Sequence, residues 1–295
     1  MSFASDPLAP GTHSVSIDGT VQRYHVAGTG PVCLVHSGGP GIGWEYLRMP
    51  ALERHLTLVY VEPIGTGESG RLPRPQDYRI DTYARFLHGI VDHLGVPEVF
   101  LLGHSHGGFV AQRYALDHPG TLSGLVLYDT SPCTGEEFWN EAVGNLDRLP
   151  ERHPGRPEAA AIPAAFRQTL AATDDESCTR GLRAILPAYF ADYWAHESEF
   201  APFREAVRVW VDPMRADEPP FDVRDRLGDI ATPTLVISGA HDFICGPRWG
   251  RMLHQGTSHS RFVLLHDSGH MGHIEEPTAF ASAIITFTSE AGRTA

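Results

Sequence analysis

Apolar residues along this chain fall into two rhythms. Short unbroken runs rich in Val and Leu lie at 32–36, 56–61, 99–102, 125–128, 235–238 and 262–265. They are too short for helices and have the continuous apolar character of strands buried on both faces. Between them the spacing lengthens to about 3.6 residues. Tyr83, Leu87, Ile90, Val91 and Leu94 define one buried helical face, with Asp81 placed as N-cap and Gly95 as the stop. A second helix is expected over 108–117, ending before Pro119. A last one follows Pro277 and buries Phe280, Ala281, Ile284, Ile285 and Phe287.

At the N-terminal end, strand-like segments at 14–17 and 21–27 flank Asp18-Gly19, a strong hairpin signal. A hairpin followed by alternating strands and helices implies an α/β protein with a mostly parallel sheet covered by helices on both faces. From about Pro132 to Pro220 the alternation stops. That stretch carries many prolines and helix-like patterns at 138–149, 159–171, 178–194 and 200–211, with no clear strand. The expected organisation is a body made of 1–131 and 221–295, with a helical cap at 132–220 inserted between two strands.

Composition narrows the setting. The 295 residues hold 36 acidic against 23 basic side chains, a net charge of −13, which disfavours nucleic acid or an anionic membrane as partner. No apolar run approaches the ~18 residues needed to span a bilayer. The polar, Pro- and Ala-containing start at 1–11 does not resemble a secretory leader. Cys33, Cys133, Cys178 and Cys245 are widely spaced, which suggests neither a zinc site nor a disulfide framework. Cys33, inside a strand-like run, is expected to be an inert buried thiol. A reducing, cytoplasmic location is the expectation.

The chemistry begins at Gly103-His104-Ser105-His106-Gly107-Gly108, directly after the strand at 99–102 and at the start of a helix. A G-x-S-x-G turn in that context pushes a serine hydroxyl clear of the sheet, and the glycines leave room for the neighbouring strand and helix. A serine hydroxyl attacks only when a base takes its proton and an acid orients that base. His270 follows the strand at 262–265, and Asp242 follows the strand at 235–238. Both occupy carboxyl ends of strands, where open α/β sheets carry their sites. Among 17 histidines, His266 and His273 are the nearest rivals to His270, and Asp129 is the rival acid. An oxyanion needs donors. The backbone N–H of His106 is one, and Gly38 or Gly39 in the turn His36-Ser37-Gly38-Gly39-Pro40-Gly41 is the other. His36 is expected to brace that turn.

With Gly38-Gly39-Pro40-Gly41, Gly103–Gly108, Asp242 and His270 together, the chain resembles the α/β-hydrolase superfamily, and its GGPG turn resembles the proline iminopeptidase branch. The resemblance implies an eight-stranded sheet, a helical cap over the site and a two-step acyl-enzyme mechanism without a cofactor. It also has departures. The elbow carries His106 rather than Trp, and the run after the next strand is Val61-Glu62-Pro63-Ile64-Gly65-Thr66-Gly67-Glu68-Ser69 rather than one containing Asp-Gln-Arg-Gly.

An aminopeptidase needs carboxylates to hold a free amine, for which Asp174, Asp175, Glu176, Glu197 and Glu199 are candidates. Aromatic residues of the cap (Phe138, Trp139, Phe166, Tyr189, Phe190, Tyr193, Trp194, Phe203 and Trp210) hint at a bulky hydrophobic substrate. The expected function is cleavage of an ester or lactone of a small molecule. Release of an N-terminal residue is the alternative, and a non-catalytic ligand-binding protein is the third possibility. Ser105 argues against dehalogenase or epoxide hydrolase chemistry, which needs Asp at the elbow.

Overall fold

The computed structural model describes residues 6–211 and 219–292. Residues 1–5 of the N-terminal stretch and 212–218 of the expected insertion lie outside the described residues, as do 293–295. Eight strands form one sheet: β1 (Gly11–Ile17), β2 (Thr20–Gly28), β3 (Val32–His36), β4 (Thr57–Glu62), β5 (Val99–His104), β6 (Leu122–Tyr128), β7 (Thr234–Gly239) and β8 (Ser260–Leu265). Their order is β1-β2-β4-β3-β5-β6-β7-β8. Only β2 runs against its neighbours; the pairs from β4 to β8 are parallel. Asp18 and Gly19 turn the hairpin with φ of 51° and 78°, the doubly positive pairing that suits the twist of two antiparallel strands.

The helices are α1 (Pro50–Glu53), α2 (Ile80–Leu94), α3 (His106–Asp117), α4 (Glu136–Asp147), α5 (Leu149–Arg152), α6 (Pro157–Leu170), α7 (Asp175–Ile185), α8 (Glu197–Ala206), α9 (Pro247–Gly256), α10 (Gly272–Glu275) and α11 (Pro277–Ala291). Alternate residues of the central strands feed two cores. Leu34, Val59, Leu101 and Val236 pack with Leu87, Ile90, Val110 and Leu253 of α2, α3 and α9 on one face. Leu58, Phe100, Leu102 and Ile237 pack with Leu52 of α1 and Phe280, Ile284 and Phe287 of α11 on the other. Strands covered on both sides must be apolar at every position, which is why β4, β5 and β7 are buried along their whole length.

Helices α4 to α8 lie between β6 and β7. They gather around Leu146, Ile162, Phe166, Leu182, Ile185 and Phe200, and this cluster also takes in Phe243 and Met271 from the body. The two ends of the segment meet: Thr134 N–H donates to Phe221 O at 2.8 Å, and Val223 N–H to Pro132 O at 2.9 Å. Near its far end it also touches the turn after β3. Ile42 pairs with Val209, and Trp210 N–H donates to Gly41 O at 2.8 Å.

Three local expectations change. Asp81 is not the N-cap of α2, which starts at Ile80 with Arg79 in the cap position. It lies in the first turn, where a carboxylate suits the helix dipole, and pairs with Arg113 at 3.0 Å. The helix expected over 178–194 ends at Ile185 and tightens into a 3-10 turn at Leu186–Tyr189. Pro187 has no N–H to continue the ladder. The helix expected over 200–211 is Glu197–Ala206; Val207 turns extended at ψ 137°, and Val209 beyond it pairs with Ile42. Among the described residues, no helix is long and apolar enough to cross a membrane. The four cysteines are free and buried, and burial pushes the Cys33 thiol up to about 12.

Candidate active site

Ser105 occupies the single residue between the end of β5 and the start of α3, with φ 53° and ψ −119°. An L-residue adopts that conformation only where its surroundings impose it. Here Ser105 N–H donates to Tyr128 O at 3.0 Å, and Ser105 O accepts from Gly108 N–H at 2.9 Å and from Thr130 Oγ1 at 2.8 Å. A Cβ on Gly107 would run into the His36 carbonyl, so glycine is what lets α3 start so close to β3. The Ser105 side chain is half-buried and lies within hydrogen-bonding reach of the Cys245 thiol.

His270 and Asp242 are both buried, and His270 Nδ1 stands 2.7 Å from Asp242 Oδ2. The carboxylate only accepts, so Nδ1 carries a proton, and in the neutral ring Nε2 is the nitrogen with the free lone pair. The other carboxylate oxygen accepts from the N–H groups of Ile244 at 2.9 Å and Cys245 at 3.2 Å. The loop bearing His270 is held from the inserted segment: His270 N–H donates to Tyr189 O at 2.7 Å. Glu275 reinforces this, accepting from Ala191 N–H and Gly269 N–H at 2.7 Å each. Burial pushes the Glu275 carboxyl up to about 7.

The turn after β3 lies against the nucleophile, since a Cβ on Gly38 would stand 3.0 Å from Ser105 Cβ. A chain of polar contacts leaves this turn. Gly38 N–H and Tyr46 Oη are 2.6 Å apart, Tyr46 Oη and His104 Nδ1 are 2.6 Å apart, and His104 Nε2 is 3.0 Å from the His270 carbonyl oxygen. The last contact fixes the rest. A carbonyl only accepts, so His104 carries its proton on Nε2 and Nδ1 accepts from the phenol; the phenol oxygen then accepts from Gly38. Burial holds His104 well below the usual imidazole range, so it is neutral. Of the expected oxyanion donors, Gly38 thus has its N–H engaged by Tyr46. The N–H groups of Gly39 and His106 have no partner among the described residues.

Ser105 and His270 line one cavity and His270 pairs with Asp242, and their rivals do not take the same places. His266 is exposed. His273 is buried, with Nε2 2.8 Å from Tyr46 O and Nδ1 3.0 Å from Tyr128 Oη. Asp129 is fully buried beneath the site. Its Oδ1 accepts from Gly239 N–H at 2.7 Å, and its Oδ2 has no partner. Burial and the neighbouring Asp242 hold its carboxyl well above the usual range. His36 is buried, its Nδ1 3.1 Å from Ser37 O, and burial lowers it to about 4. The His106 ring is packed edge-on to Tyr83 and Phe109 at 5.2 and 6.0 Å, and burial lowers it to about 3. Among the described residues, two trios could offer metal ligands, His104–Asp129–His270 and Asp242–Cys245–His270. Both use His270, whose Nδ1 is already committed to Asp242.

Two chambers open at Ser105. One of about 670 Å³ is walled near the serine by Gly39, His106, Phe109, Phe138, Ile244 and Cys245. Another of about 60 Å³ is walled by His270, Tyr46, Leu186, Tyr189, Phe203 and Met271. Asp174, Asp175, Glu176, Glu197 and Glu199 are all exposed and line neither. Tyr46 and Glu275 were not legible as site residues, because tertiary contacts rather than spacing bring them in, whereas Tyr189, one of the cap aromatics expected near the substrate, does line the smaller chamber. Cys245, three residues past Asp242, had a positional signal.

A strained serine at a strand–helix turn, next to an imidazole–carboxylate pair and unpartnered backbone donors, defines a hydrolase class on a parallel sheet. The chain belongs to the alpha/beta hydrolase fold family, whose model matches residues 30–277. It is 28% identical to the 2-hydroxy-6-oxo-2,4-heptadienoate hydrolase of Pseudomonas putida (strain F1), over 91% of this chain and 93% of that one. It is 25% identical to the proline iminopeptidase of Heyndrickxia coagulans, over 90% and 93%. The solved enol-lactonase from Burkholderia xenovorans LB400 superposes with a TM-score of 0.71 at 23% identity, covering 94% of this chain and all of that one, a likeness of fold.

Proposed function

We propose that this chain is a serine hydrolase that cleaves an ester or lactone of a small molecule through an acyl-enzyme. The observation that carries the reading is the 2.7 Å contact between His270 Nδ1 and Asp242 Oδ2, in a site that also holds Ser105 in its strained turn. His270 Nε2 takes the Ser105 proton as Oγ attacks the carbonyl carbon. The negative oxygen is met by the N–H groups of His106 and Gly39, while Asp242 stabilises the imidazolium. His270 then protonates the leaving oxygen. Water, deprotonated by the same imidazole, attacks the acyl-serine and frees the acid. Every group used belongs to the chain, and no cofactor enters. We read residues 132–220 as the cap over this site and the rest as the catalytic body.

Aminopeptidase action has one observation in its favour. Glu136, with no ion partner among the described residues, lines the larger chamber and could hold a free amine. The test pairs wild type with Ser105→Ala on p-nitrophenyl esters and on proline p-nitroanilide. Ester turnover lost in the variant, with the anilide uncut, is the expected result. Preference for the anilide would favour the peptidase reading. Absence of turnover together with no labelling of Ser105 by a fluorophosphonate would sink the catalytic reading and leave a ligand-binding protein.

A further inference from the structure

We infer that the ester cleaved here carries its bulk on the acyl side of the carbonyl and a small apolar alcohol on the other. This rests on the proposed acyl-enzyme chemistry and uses the unequal chambers that meet at Ser105. In such chemistry the leaving oxygen must receive its proton from His270, so the alcohol lies on the His270 side. His270 walls the small chamber and not the large one. With the carbonyl oxygen directed between the N–H groups of Gly39 and His106, the acyl chain is left with the direction that begins at His106 and Phe109. That is the large chamber.

Size and polarity agree with this assignment. A cavity of about 150 Å³ takes benzene, so the small chamber of about 60 Å³ takes only a fragment of about two to four heavy atoms. Its apolar walls are Leu182, Leu186, Phe203, Val207 and Met271, with Tyr46, Tyr189 and His270 completing the lining. Its Tyr46 phenol already donates to His104 and accepts from Gly38. A methyl or ethyl group fits such a space, and a long or charged alcohol does not. The large chamber, about 670 Å³, combines Phe109, Phe138 and Ile244 with Arg79, Arg113 and Glu136. It suits a medium or long acyl chain, and one ending in a polar group.

The test uses two isomers, methyl octanoate and heptyl acetate, which differ only in which side of the carbonyl carries the chain. Methyl octanoate is expected to have a kcat/KM higher by about tenfold or more, the discrimination a few methylenes produce in a closed apolar pocket. Equal values, or a preference for heptyl acetate, would overturn the inference while leaving the hydrolase reading intact. Phe203→Ala opens the small chamber, and Phe203 is only half-buried, so the change is compatible with folding. It should raise the kcat/KM ratio of hexyl to methyl octanoate by about fivefold or more; an unchanged ratio counts against the assignment. If a fluorophosphonate labels Ser105 but neither isomer is cleaved, the substrate class is wrong. If nothing labels and nothing is cleaved, the hydrolase reading itself falls.

Discussion

The Tyr46 hydroxyl stands 2.6 Å from Nδ1 of His104, and this contact joins the turn that carries Gly39 to the backbone of His270. Tyr46→Phe removes the acceptor for Gly38 N–H and the donor to His104 together. The Gly38 turn should then drift from the position that serves a developing oxyanion. Expected is a fall in kcat of about tenfold with KM little changed, and a stability loss of about 1–2 kcal/mol from the orphaned groups. Steady-state kinetics with a p-nitrophenyl ester, beside a denaturation curve, separate the two. A stability loss without a kcat effect would assign Tyr46 to structure alone.

Asp129 has an unpartnered, buried Oδ2 in the same cluster as His270, and burial, with the neighbouring Asp242 second, holds its carboxyl well above the usual range. Asp242→Asn removes that charge, lowers the cost of ionising Asp129, and should leave Asp129 to orient the imidazole in part. The single variant should lose about 10²- to 10⁴-fold in kcat. Adding Asp129→Asn should cost roughly tenfold more. Equal rates for the single and double variants would show that Asp129 gives the imidazole no support.

Glu275 gives a pH signature. Its carboxyl is raised from an ordinary 4.5 to about 7 in the folded chain. Between those values the folded state binds more protons than the unfolded state, so stability falls as pH rises from about 4.5 to 7. The group's share is on the order of 2–3 kcal/mol at most, reduced by its partial exposure. Glu275→Gln should flatten that part of the stability–pH curve measured by urea denaturation. A slope identical to wild type would refute the assignment.

Two glycines should respond very differently to one methyl group. Gly107→Ala drives a Cβ into the His36 carbonyl, a backbone atom that cannot step aside, and should cost several kcal/mol (about 3 or more) or prevent folding. Gly95→Ala meets nothing within 4 Å but sits at φ 65° as the C-cap of α2. Its cost should be only about 1 kcal/mol. Expression yield and thermal midpoints of the two variants decide the matter.

What could be seen in the sequence was what periodicity and turn chemistry record. The hairpin at Asp18-Gly19, the apolar strands and the face of α2 announce themselves because burial repeats with the geometry of the element. Ser105, Asp242 and His270 could be named because each follows a strand in the order this architecture uses. The inserted helices were harder to bound. Pro187 stops α7 where apolar spacing alone continues, and the chain leaves α8 at Val207 so that Val209 can pair with Ile42. The role of Tyr46 was invisible for another reason: its partners Gly38 and His104 are joined through space, the latter 58 positions away in the chain. No local pattern encodes such a meeting.

The pairing of Ile42 with Val209 and the bond from Trp210 N–H to Gly41 O bind the turn that carries Gly39 to the inserted segment that walls the smaller chamber. On the proposed reading of this segment as a cap, raising it would drag the turn out of shape, so a gaping form of this molecule would also be a chemically idle one. Traffic in and out is thereby left to the mouth of the larger chamber. Mutations that loosen Val209 or Trp210 should be felt first as lost rate rather than as freer access.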